Sequence, residues 1–64
     1  MDVVEKAVVF ILDAIKSIKD NDLGTQKENY HYAMGAIDFA KHMDLICPEL
    51  ADVLETGANA KEME

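Results

Sequence analysis

The chain has 64 residues, half of them apolar, with 13 acidic against 6 basic side chains and a net charge of −7. That length allows one domain at most, and the single cysteine excludes an internal disulfide. All six basic residues are lysines, so the arginine that makes bidentate phosphate and base contacts is absent and direct nucleic-acid binding is disfavoured.

The first element is expected over residues 3–20. Asp2 followed by Glu5 has capping-box spacing, with Asp in place of Ser or Thr. Val4, Ala7, Val8, Ile11, Ala14, Ile15 and Ile18 recur at helical intervals. The apolar arc covers roughly 200° of the wheel, with Phe10 at one edge, Leu12 at the other and Val9 amid the polar face. Such an arc is wider than one partner helix needs and implies a second contact surface. The run Ala7 to Leu12 is too short to span a membrane, and no basic leader precedes it, so a cytoplasmic protein without a membrane anchor is expected.

"NDLG" then reads as a turn, and Thr25 with Glu28 forms a second capping box. A short connection makes the next helix an antiparallel neighbour. That helix is expected over 26–46. Tyr32, Ala33, Ala36, Phe39, Ala40, Met43, Ile46 and Cys47 share about half its circumference and read as its packing side, the Cys47 thiol being buried and inert. Tyr30, Met34 and Ile37 lie off that side as a surplus apolar rim.

Pro48 ends the second helix and can open a third over 48–56, the alternative being one long helix kinked at the proline. Leu50, Val53 and Leu54 point inward in this reading, and Gly57 is placed to stop the helix. The domain is then 1–57, with 58–64 a flexible acidic tail.

The expected fold is all-α: an antiparallel helical hairpin plus a short third helix, assembling as a homodimeric bundle because so small a chain gains from sharing a core. Its expected core is Val4, Ile11, Ile15, Ile18, Tyr32, Ala36, Phe39, Ala40, Met43, Leu50 and Leu54. The expected interface between chains is Val9, Phe10, Leu12, Tyr30, Met34 and Ile37.

For chemistry the chain offers little. His31, Asp38 and His42 project within about 40° of one another on the wheel and are the only candidate metal ligands, as a clip between chains. Glu28 and His31 have Glu-x-x-His spacing, but the first helix supplies no inward carboxylate for a di-iron site. Ser17 is the only serine, and no phosphate-binding glycine loop or cysteine cluster is present. A catalytic site and a cofactor are not expected.

The function expected is that of a small non-enzymatic protein-protein interaction module, a regulator, adaptor or inhibitor that binds itself and a further protein. Small acidic chains of this kind resemble those encoded by phages and mobile elements. One alternative is an acidic DNA mimic, because the segment 44–64, with Asp44, Glu49, Asp52 and Glu55, holds six acids and one lysine. The other is a metal-dependent module built on His31, Asp38 and His42.

Overall fold

A computed structural model describes residues 2–20, 22 and 24–63; Met1, Asn21 and Leu23 of the expected turn, and Glu64 of the expected tail, lie outside the described residues. The described residues form three α-helices and no strand: α1 (Val3–Lys16), α2 (Gln26–His42) and α3 (Pro48–Met63). Their radius of gyration is 11.2 Å, and a compact chain of this length is expected near 11 Å, about the same.

Local chemistry sets the helix starts. Asp2 Oδ1 accepts the Glu5 N–H at 2.8 Å. At α2 the box closes in both directions: Thr25 Oγ1 accepts the Glu28 N–H and Glu28 Oε1 accepts the Thr25 N–H, each at 3.1 Å. Gly24, just before it, has a φ of 150°, and a Cβ there would come 3.2 Å from Asn29 Oδ1. Pro48 opens α3 rather than kinking a longer helix, and the Cys47 carbonyl accepts the Ala51 N–H at 2.9 Å.

The helix ends depart from expectation. α1 stops at Lys16, not at residue 20, because the Ser17 hydroxyl donates to the Asp13 carbonyl and the Ile18 and Asp20 N–H groups take tighter i→i−3 bonds. α2 stops at His42, not at Ile46. Asp44 has a φ of 57°, its N–H donates to the Lys41 carbonyl, and the Leu45 N–H donates to the Ala40 carbonyl. That is a Schellman closure with aspartate in the left-handed position usually held by glycine. α3 runs through Gly57 to Met63, so residues 58–63 are helix, not tail. Ala58 is fully buried, and Lys61 and Glu62 are half-buried. Packing of Ala51, Leu54 and Ala58 at helical spacing outweighs one interior glycine.

The core consists of Ile11, Ala14, Ile18, Ala33, Ile37, Ala40, Ile46, Ala51, Leu54 and Ala58. Five of these ten are alanines, so the helices can approach closely and the bulk is supplied by a few isoleucines and Leu54. α2 is the central helix and packs on both others, more extensively on α3. Gln26 Nε2 donates to the Glu62 carbonyl, and the Tyr30 hydroxyl donates to Asn59 Oδ1, so the start of α2 lies against the end of α3.

The buried side of α2 is turned by roughly 80° on the wheel from the expected one. Tyr32, Phe39 and Met43, read as core, are exposed, and so are Val4 and Val53. Ile37, read as interface, is fully buried; Tyr30 and Met34 are half-buried against the core. The cause is α3, whose added length covers the Tyr30–Met34–Ile37 side within the same chain. Of the other residues read as core, Ile11, Ile18, Ala40 and Leu54 are buried, and Ile15, Ala36 and Leu50 are half-buried.

Candidate functional site

The rotation of α2 leaves its second apolar stripe uncovered. Tyr32, Gly35, Ala36, Phe39 and Met43 follow at helical spacing on that side. Phe10 of α1 stands beside it: the Phe10 and Tyr32 rings lie 6.0 Å apart, tilted by 49°. Phe10, Tyr32 and Phe39 are 53%, 59% and 63% exposed. Between them runs an open groove of about 550 Å³, walled by Ala7, Phe10 and Ile11 from α1 and by His31, Tyr32, Gly35, Ala36, Phe39 and Ala40 from α2. Leu45, carried by the turn after α2, also lines it.

Small residues keep this space open. Ala7, Gly35 and Ala36 sit among the aromatic rings, and a Cβ added at Gly35 would meet nothing within 4 Å. Glycine inside a helix is about 1 kcal/mol less favourable than alanine. Neither backbone conformation nor packing inside the chain calls for it at position 35. A glycine within an otherwise strong helical pattern is the sequence signal for this position, since it asks for a reason.

Beyond the Phe10–Tyr32 pair the surface changes character. A second concavity shares those two rings and adds Asp13, Ala14, Ser17, Glu28 and Asn29. Its two ionisable side chains besides Tyr32 are both acids. The Thr25 backbone N–H, and after it the Thr25 side chain, hold the Glu28 carboxyl below its ordinary value of 4.5. Asn29 uses its amide elsewhere, donating to the carbonyl oxygens of Ser17, Ile18 and Asp20 at the end of α1.

Of the residues expected between chains, Val9, Phe10 and Leu12 are exposed, whereas Tyr30, Met34 and Ile37 face the interior of their own chain. His31, Asp38 and His42 are exposed but do not converge: among the described residues no group of three His, Cys, Asp or Glu could hold a metal ion. Within one chain His31 and His42 cannot share an ion, being about 16 Å apart along the helix axis at 1.5 Å per residue. His31 instead packs edge-on against Tyr30, ring centroids 5.8 Å apart, and lines the groove. Cys47 is exposed rather than buried, because α2 ends before reaching it. Among the described residues no helix is long and apolar enough to cross a membrane.

No protein-family model matches the chain, and no curated protein or solved structure is significantly similar to it.

Proposed function

We propose that this chain is a small non-enzymatic interaction module of the cytoplasm that regulates, adapts or inhibits another protein by binding it through the α1–α2 groove. The observation that carries this reading is the exposure of Phe10, Tyr32 and Phe39 around one groove. Single exposed apolar residues are ordinary, but clustered aromatic ones mark contact surfaces. Among the described residues the groove lining includes no serine, cysteine or carboxylate. The Phe10–Tyr32 ring contact and the reach of Asn29 to the end of α1 support reading α1 and α2 as an antiparallel hairpin on which α3 is laid.

The test compares capture from an extract of the native host by the immobilised chain and by its Phe39→Asp variant, both of equal helicity by circular dichroism. A protein retained by the first and lost from the second supports the reading. Equal retention, or none, sinks it.

Two further readings have their own motivations. Val9 and Leu12 are 44% and 42% exposed across α1 from Phe10, and they suit a homodimer contact separate from the groove. Light scattering at micromolar concentration reads that directly. The exposed Asp44, Glu49 and Asp52 suit a DNA mimic. Capture through those acids would weaken steeply with salt, whereas capture through the groove would be far less sensitive.

A further inference from the structure

We infer that the groove receives a basic amphipathic helix of the partner protein, its apolar side over Gly35 between Phe10 and Phe39 and its lysines or arginines against Asp13 and Glu28. This rests on the protein-binding reading above and adds the chemistry of the occupant.

Shape is the first support. The groove lies between two helices and its wall contains a glycine whose missing side chain serves no contact inside the chain. A glycine in such a wall lets another backbone come close. Gly57 is equally free of neighbours but belongs to α3 and lines no part of this groove, so it is the internal control. From Glu28 to Phe39 the surface extends eleven residues along α2, about 16 Å or three helical turns. That suits an amphipathic helix anchored at i, i+3, i+4 and i+7, the usual spacing for a helix in a groove.

Charge is the second. Past Phe10 and Tyr32 the surface passes directly to Asp13 and Glu28, and among the described residues no lysine lines either stretch. Glu28 is held ionised by its cap contacts with Thr25. The whole chain carries −7, so a basic segment is attracted and a second copy brings like charge to the same place.

The probe is a display library of helical peptides with randomised surface positions and no bias in charge, selected on the full chain. Recovered peptides are expected to carry lysine or arginine beside an apolar stripe. Phe39→Asp should weaken them at least about tenfold, Gly35→Ala several-fold, and Asp13→Asn with Glu28→Gln several-fold in a salt-dependent way. Glutamine at position 28 keeps the capping box, and Gly57→Ala should leave affinity unchanged. Recovery of neutral or acidic peptides that still depend on Phe39 overturns the basic occupant while leaving the protein-binding reading standing. Binding indifferent to Phe39 removes the groove and both readings with it, whereas no enrichment overturns the helical occupant alone. A dimer by light scattering that Phe39→Asp dissociates assigns the groove to a second copy and likewise overturns the inference.

Discussion

The side-chain amide of Asn29 in α2 donates to the Ser17 carbonyl oxygen, 3.0 Å away, just past the end of α1. The same amide nitrogen lies 3.3 Å from the Ile18 carbonyl and 3.0 Å from that of Asp20. Helix ends leave carbonyls without intrahelical partners, and here the neighbouring helix supplies the donor. Asn29→Ala is expected to lose about 0.5–1.5 kcal/mol in urea unfolding, through loss of its bonds to the end of α1, the Ser17 carbonyl still accepting the Asp20 N–H. Asn29→Asp should lose more at neutral pH, because it turns an anionic acceptor toward three carbonyl oxygens.

Gly57 offers the opposite opportunity. It sits inside α3, and a Cβ there would meet nothing within 4 Å. Gly57→Ala is therefore expected to stabilise the fold by about 0.5–1 kcal/mol, read as a raised thermal midpoint. A fall instead would mean that α3 breaks at Gly57 in solution.

Asp44 ends α2 from the left-handed region, with a φ of 57°. Aspartate tolerates that region better than most residues, and glycine tolerates it best. Asp44→Gly should stabilise by about 0.5 kcal/mol and Asp44→Val should destabilise by about 1–2 kcal/mol, both by denaturant midpoint. Equal effects of the two would show that the turn does not hold this conformation.

Helix starts were legible in the sequence because they depend on neighbours a few residues away. Asp2, the Thr25–Glu28 box and Pro48 each act within one turn. Helix ends and faces were not, because they depend on what packs from afar. Gly57 reads as a stop only when nothing beyond it is worth burying, and Ala58 is fully buried. On α2 two apolar stripes lie side by side, one through Ala33 and Ile37, the other through Tyr32 and Phe39. Bulk favours the second, but α3 reaches the first. The groove is legible only in part: Phe10 is surplus to a helical hairpin, whereas the bulk of Tyr32 and Phe39 points to an interior place that α3 denies them.

The Thr25–Glu28 box makes α2 sensitive to acid. Its hydrogen bonds hold the Glu28 carboxyl below the ordinary value of 4.5, so the unfolded chain binds that proton more readily than the folded one. The contribution is full above pH 4.5 and disappears as pH falls through the lowered folded value. Glu28→Gln should flatten the acid limb of the stability curve in that window, being less stable than the parent at pH 7 and converging with it in acid. An unaltered acid limb would show that the contact is not kept in solution.

Ile37 and Phe39 are two residues apart on α2 and reverse the order that size would suggest. Ile37 is 0% exposed, whereas Phe39 is 63% exposed. Ile37→Val removes one buried methylene and should cost about 0.5–1.5 kcal/mol. Phe39→Ala removes a much larger side chain, yet from the surface, and should change stability by no more than about 0.5 kcal/mol. Urea unfolding of the two variants beside the parent decides it. If Phe39→Ala proves the more damaging, α2 packs on its aromatic stripe in solution, and the groove, its partner helix and the role of Gly35 all fall together. If Ile37→Val is the costlier, Phe39 contributes nothing to folding that an alanine could not. Its loss should then appear in binding alone, because the ring stays in water until a partner covers it.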